Sequence, residues 1–220
     1  MAIFFTSDQH YGHGNVIWYC KRPFADAALI KHKRDYDDAV ASRYSGSSTV
    51  DQLKRIYKNS LYEAVKVMDT EMIRKHNSRI QPDDTVYMIG DIAFYDEAKT
   101  GRILDQLNGK KILVYGNHDK GIKMSNFLQS KFEKCVDYLE INVGNQMIVM
   151  SHYAMLTWNK AHHSSFMLHG HSHGGLKYPF KGKILDVGVD SHNFYPISFN
   201  EVENIMSKLE FQPVDHHGAT

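Results

Sequence analysis

The chain has 220 residues, a length that suits one domain with a substantial core rather than two. Hydrophobic residues at 42% and charged residues at 23% exclude a disordered chain, and a net charge of +1 excludes a strong electrostatic pull toward nucleic acid or membranes. No apolar run reaches the roughly 18 residues that span a bilayer, and Met1-Ala2-Ile3-Phe4-Phe5 lacks a basic leader, so a first β-strand is expected there rather than a signal peptide.

In chain order, the first strand is predicted over 2–7. Helical spacing follows over 25–43 and 51–79, joined by the linker-like Ser45-Gly46-Ser47-Ser48. Asp69, Met72, Ile73, His76 and Ile80 recur on one helical face until Gln81-Pro82-Asp83-Asp84 stops the helix. Then come a strand over 85–89, a helix over 96–107, a strand over 111–115 and a helix over 121–132. Strands over 136–143 and 146–151 flank Gly144-Asn145, a dipeptide that supplies the positive φ of a hairpin turn. Further strands are predicted over 166–169 and 184–189, and a short helix near 200–208. Strands alternating with helices and then β-rich sequence indicate an α/β layered fold. The expected organisation is one domain over 1–210 and a flexible tail over 211–220. Cys20 and Cys135 are far apart and outside any CxxC pattern, which suits inert thiols in a reduced, cytoplasmic setting.

The 14 histidines are the unusual feature, and many fall where predicted strands end. Five polar clusters lie there: Asp8-Gln9-His10, Gly90-Asp91, Gly116-Asn117-His118-Asp119, Ser151-His152 and Gly170-His171-Ser172-His173. In α/β sheets ligands collect at strand ends, where loops converge over a rigid platform. Carboxylate, amide oxygen and imidazole together suit manganese, iron, zinc or nickel better than a purely oxygen-seeking ion such as calcium. Asp91 is the natural bridge, since a carboxylate gives one oxygen to each of two ions, which in such pairs stand about 3.5–4 Å apart. A lone DxH or HxH is more often an ordinary solvated pair, and a lone GD carries almost no information. All five in this order, each at a strand end, argue against accident.

These clusters resemble the DxH, GD, GNHD, GH and GHxH motifs of the calcineurin-like metallophosphoesterases, from Ile3 to about Ser198. The small bacterial and phage members are the most similar: they read much like residues 7–15, Arg22-Pro23-Phe24, Leu107-Asn108-Gly109 and Val187-Gly188-Val189-Asp190. The resemblance implies a four-layer α-β-β-α sandwich, and a dinuclear-metal-dependent phosphodiesterase or phosphatase acting on a small nucleotide-like ester. It implies one metal held by Asp8, His10, Asp91 and His173 and a second by Asp91, Asn117, His152 and His171. Mn²⁺ is the first expectation, with Fe, Zn, Ni or Mg as alternatives. His118 would stabilise charge or protonate the leaving oxygen, after attack by a metal-bridging hydroxide without a covalent enzyme intermediate. Protein phosphatases of this superfamily continue the second motif as GDxxDRG. Here Gly90-Asp91 runs into Ile92-Ala93-Phe94, which disfavours that activity.

Several residues carry a bland and a functional reading side by side. His13 and Asn15 either face the site or shape its loop. Arg22 contacts phosphate or makes a structural ion pair, and Asp190 supports the site or ends the last strand. Asp119 orients His118 or caps the following helix. Tyr153 and Trp158 form a stacking wall for a base, or simply pack. His162-His163 and His216-His217 read as solvated pairs. A helical hairpin inserted over about 26–66 carries Lys31, Lys33, Arg34, Arg43, Lys54, Arg55 and Lys58, offset by Asp35, Asp37, Asp38 and Asp51. It is a solvated hairpin, or a cap, or a dimer contact. The competing functions are a nuclease, supported only by that basic insert, and a non-catalytic metal-binding scaffold, disfavoured because no ligand is missing.

Overall fold

The computed structural model describes residues 1–42, 48–212 and 214. Arg43, most of the Ser-Gly-Ser-Ser linker, His216-His217 and most of the expected tail lie outside the described residues. In chain order the elements are β1 Ile3–Thr6, α1 Val16–Tyr19, α2 Ala27–Ala41, α3 Ser48–Arg79, β2 Thr85–Met88, α4 Glu97–Gln106 and β3 Lys110–Val114. They continue as α5 Lys120–Lys123, α6 Asn126–Gln129, β4 Lys134–Val136, β5 Leu139–Val143, β6 Gln146–Met150, β7 Phe166–His169, β8 Ile184–Asp186, β9 Ile197–Ser198 and α7 Phe199–Ser207. Among the described residues no helix is long and apolar enough to cross a membrane. The chain divides into two compact units: Met1–His10 with the chain from Met72 onward, and Tyr11–Glu71.

The first unit is a mixed α/β structure built on two sheets. One has strand order β4-β3-β2-β1-β9, parallel except for β9, and the other has order β5-β6-β7-β8. β6, β7 and β8 are parallel, while β5 and β6 form the expected hairpin, with Val143 opposite Gln146 and Gly144 at φ +58°. Because strand side chains alternate between faces, Phe5, Tyr87, Ile89, Ile148, Met150, Phe166 and Leu168 turn from both sheets into one shared core. Val202 and Met206 of α7 join them. The intervening Val149 and Met167 pack on the opposite face against Trp158, Tyr178 and Phe180. Burial on both faces accounts for the continuous apolar runs that marked these strands in the sequence.

Two local expectations are corrected. The strand expected over 136–143 is two strands in different sheets, because the chain leaves the first sheet after Val136 and enters the second at Leu139. The helix expected over 121–132 is broken into α5 and α6, since Ser125 is extended and its hydroxyl accepts from the Leu128 N–H, restarting the helix. Of the two readings of Trp158, packing is the one observed, its Nε1 donating to Ser165 O at 3.1 Å. Among the described residues, loop residues and the short turn at Ala161–His163 pack on the outer face of the second sheet.

The end of α3 ties into this unit through Arg79, which donates to Pro196 O and Glu201 Oε1, and through buried His76, whose Nε2 donates to Asn108 O at 2.9 Å. Burial pushes the His76 imidazole down to about 4. The unfolded chain therefore takes up a proton between pH 6.5 and 4 that the folded chain refuses. Stability from this group is complete above pH 6.5 and is lost as pH falls toward 4, by about 3 kcal/mol. Urea midpoints at pH 7 and pH 4 should show His76→Gln losing less than the parent by about that amount; parallel losses would refute it.

The second unit contains α1, α2 and α3 up to Glu71, including both helices expected in the insert. Asp26 caps α2 through the Leu29 N–H, and Leu29, Val50, Ala64, Val65 and Met68 are buried. Trp18 Nε1 donates to Tyr57 OH at 3.1 Å, Tyr36 stacks on Tyr57, and His32 Nδ1 lies 2.6 Å from Ser60 Oγ. Lys31 pairs with Asp35 and Lys33 with Asp37, one helical turn apart. Exposed pairs of this kind add little stability, but each offsets a positive charge of the insert locally. Arg22 is buried, with Nη1 3.6 Å from Met68 Sδ. His13 lies edge-on to Tyr19, and Asn15 occupies the N-cap of α1 without a capping hydrogen bond from its side chain.

Candidate metal centre

All five polar clusters sit beyond the C-terminal ends of parallel strands in the first unit: β1, β2 and β3 in one sheet, β6 and β7 in the other. The chain turns there through costly backbone. Asp8, His10, Asp91, His171 and His173 all have φ between +47° and +68°. Non-glycine residues in this region cost on the order of 1 kcal/mol each, and such strain gathers at functional sites. The two sheet edges are laced together above the core. The His171 N–H donates to the Asp8 carboxylate and the Val189 N–H donates to Ser7 O, while within the first sheet the Ser7 hydroxyl donates to Ile89 O.

Two groups of donor atoms result. Those of Asp8, His10 and His173 lie within 4.8 Å of one another, as do those of Asp91, His152 and His171. Asn117 Oδ1 adds to the second group, 3.1 Å from both His152 Nε2 and His171 Nδ1. Asp91 Oδ2 stands between the groups, 3.5 Å from His10 Nε2 and 3.5 Å from His152 Nε2. Donors that share one ion at about 2.1 Å lie roughly 3–4 Å apart, so the spacings and the mixed oxygen and nitrogen chemistry fit divalent metals. The seven residues expected as ligands lie together: Asp8, His10 and His173 in one group, and Asp91, His152 and His171 in the other, with Asn117 beside them.

The imidazoles are oriented from behind. His152 Nδ1 donates to Ile89 O at 2.8 Å, which aims Nε2 at Asp91. His173 Nδ1 is 2.6 Å from Asp190 Oδ2, while its Nε2 faces Asp8 Oδ1 at 3.9 Å. A carboxylate behind a ligating histidine fixes its tautomer and raises its basicity. Asp190→Ala is therefore expected to weaken metal binding about 10- to 100-fold, read by Mn²⁺ titration calorimetry; unchanged affinity would contradict it.

The electrostatics are those of carboxylates held out of water. Burial pushes the Asp8 carboxyl up to about 6, against the attraction of His173 and His152. Burial acts on Asp91 too, but hydrogen bonds from His152 and the His118 N–H, with the nearby His10, keep its carboxyl below the usual range. Burial lowers the His171 imidazole, helped by its histidine neighbours. A divalent cation beside Asp8 would offset the desolvation that raises its carboxyl.

His118 sits above this floor. Its N–H donates to Asp91 Oδ1 at 2.9 Å, its Nε2 is 4.0 Å from Asp91 Oδ2, and its side chain is half exposed. Neither sequence reading of Asp119 describes its side chain. The buried carboxylate accepts from the N–H groups of Asp91, Ile92 and Gly116, clamping the loops after β2 and β3, and it makes no helix cap. Its counterpart in the other sheet, Asp186, lies outside every motif of the sequence. That carboxylate accepts from the Gly174 and Gly188 N–H groups at 2.8 Å, holding the loops that carry His173 and Asp190. Phe94, likewise outside the motifs, is stacked on His10 at 5.3 Å and tilted against His118 at 4.7 Å. The one signal for Phe94 was its place where the DRG residues would otherwise stand. Tyr153 is exposed, edge-on to His171 and His152.

No family model matches the chain. It is 25% identical over 213 residues to the uncharacterized protein MJ1445 of Methanocaldococcus jannaschii, covering 94% of this chain and 92% of that protein. Among solved structures, YfcE, a phosphoesterase from E. coli, aligns at 14% identity over 86% of this chain and 78% of its own, with a TM-score of 0.36, too low to bear on the fold. The protein of unknown function AQ665 from Aquifex aeolicus aligns with a TM-score of 0.58 and 21% identity, over 93% of this chain and 98% of its own, and is similar in fold.

Proposed function

We propose that the chain is a metal-dependent phosphoesterase acting on a small phosphate ester. The observation that carries this reading is Asp91 Oδ2, equidistant at 3.5 Å from a histidine of each donor group. Asp8, His10, Asp91 and His173 would hold one ion, and Asp91, Asn117, His152 and His171 the other. When bound, the ions supply an activated water and neutralise charge on the phosphoryl oxygens. The chain's own residues do the rest. Asp91 ties the two halves of the site into one unit and, through Oδ1, fixes the backbone of His118. His118 reaches over the floor with Nε2 and delivers a proton from that atom to the departing alkoxide. The clamps at Asp119 and Asp190 keep Asp91 and His173 from relaxing out of their strained conformations.

The test is hydrolysis of bis-p-nitrophenyl phosphate with Mn²⁺ against an EDTA control. Hydrolysis should depend on the metal, and His118→Ala should lower kcat about 10²- to 10⁴-fold with Mn²⁺ affinity unchanged. No turnover with any divalent ion, or full activity in His118→Ala, would sink the reading.

A further inference from the structure

Two aromatic rings stand at the shoulders of the donor groups. Phe94 lies against His10 and His118, on the side of the first group, with ring centroids 5.3 and 4.7 Å apart. Tyr153 lies against His171 and His152, on the side of the second, at 4.6 and 5.3 Å. Both keep much of their surface in water, 39% for Phe94 and 51% for Tyr153. Neither belongs to the two apolar clusters that join the second sheet to its neighbours. A ring held by imidazoles at a polar site and left half open is a platform for another ring. On the Tyr153 side there is also room: a cleft of about 400 Å³ lined by Tyr115, Asn117, Lys120, Ser151, His152 and Tyr153, within the range of small-ligand sites.

The position of Asp91 gives the two rings their meaning. Its Oδ2 lies between His10 and His152, so one ring stands on each side of the point where a phosphorus would be attacked. A monoester has one alcohol group and can use only one side. A diester with a flat group on each alcohol uses both. Resting on the phosphoesterase reading above, we infer that the substrate is a phosphodiester bearing a nucleobase or other aryl ring on each side of the scissile phosphate, with Phe94 stacking one ring and Tyr153 the other.

Binding and turnover test the two readings separately. Calorimetry of the metal-free, EDTA-treated protein with a dinucleoside monophosphate, ApA, measures ring stacking without hydrolysis. Phe94→Ala and Tyr153→Ala should each weaken it about 10-fold, while Phe94→Tyr and Tyr153→Phe, which keep the rings, should bind as the parent does. Circular dichroism melts identify any variant that has merely unfolded, in which case Phe94→Leu or Tyr153→Leu replaces it. In the Mn²⁺-loaded protein, KM for bis-p-nitrophenyl phosphate should rise in both alanine variants. KM for methyl p-nitrophenyl phosphate, with one ring, should rise in only one. ApA affinity and KM unchanged in both alanine variants, with the parent active, would overturn the inference and leave the phosphoesterase reading standing. No hydrolysis of any ester, with ring-dependent ApA binding intact, would overturn that reading instead.

Discussion

Asp91→Ala is expected to lower Mn²⁺-dependent ester hydrolysis by about four orders of magnitude, on the order of 5 kcal/mol of transition-state stabilisation. Three losses coincide in this one side chain. Its Oδ2 stands between the two donor groups, 3.5 Å from His10 Nε2 and from His152 Nε2. Its Oδ1 accepts the His118 N–H, so the group proposed to protonate the leaving oxygen loses its anchor. Its charge holds the His152 imidazole above the usual range even though burial pushes the other way. Asp91→Asn separates these contributions, because the amide keeps an oxygen for the His118 N–H but not the negative charge. It should retain His118 placement and still lose metal at one or both positions. Steady-state kinetics and metal titration of the two variants, with far-UV circular dichroism to confirm folding, make the comparison. Activity of either variant within tenfold of the parent would contradict the role given to Asp91.

Gly90→Ala is expected to cost about 2–5 kcal/mol of stability, as left-handed backbone strain plus overpacking, and to disrupt metal binding. Gly90 has φ +87°, and a Cβ there would meet Gly116 N at 2.5 Å, Gly116 Cα at 2.6 Å and His152 Nδ1 at 2.6 Å. Two of these contacts are backbone, and the loop they belong to carries Asn117 and His118. Relief of the clash must therefore move donor atoms of the second group. Gly121→Ala serves as the control: nothing lies within 4 Å of its Cβ position, and it sits in α5, where alanine is the better helix former. Thermal melts with and without Mn²⁺ should place Gly121→Ala at or slightly above the parent. Gly90→Ala should lie well below, with little metal-induced rise. Equal melting temperatures for the two variants would refute the packing explanation.

The parts of this site that were legible in the sequence depend on local signals. Strands were marked by short β-branched and aromatic runs, and each donor residue followed its strand within a few positions. Once β1, β2 and β3 are parallel in one sheet and β6 and β7 in the other, their C-terminal loops must share an edge. The convergence of Asp8, Asp91, Asn117, His152, His171 and His173 follows from topology. What was illegible depends on contacts distant along the chain. Asp186 looks like an ordinary acid at the end of a strand, and only the fold places the Gly174 N–H 2.8 Å from it. Phe94 is one more exposed aromatic until His10 and His118 come to lie beside it. The passage from β4 to β5 reads as one strand because residues 136–143 stay rich in β-branched and other apolar residues; only the shift of their alternation between Tyr138 and Leu139 marks the change of sheet. β9 has only two residues and owes its assignment to pairing with Phe4 and Phe5.

Metal analysis of the purified, Mn²⁺-equilibrated protein tests the proposed two-metal site most directly. Titration calorimetry with a parallel thermal melt gives the count and the stabilisation together, since a ligand that binds only the folded chain raises its melting temperature. The expected result is two Mn²⁺ ions per chain, a rise in melting temperature that is larger at pH 7.5 than at pH 5.5 because the Asp8 carboxyl must give up its proton to bind, and loss of both effects in Asp91→Ala. No bound metal and no metal-dependent rise in melting temperature at either pH would contradict it.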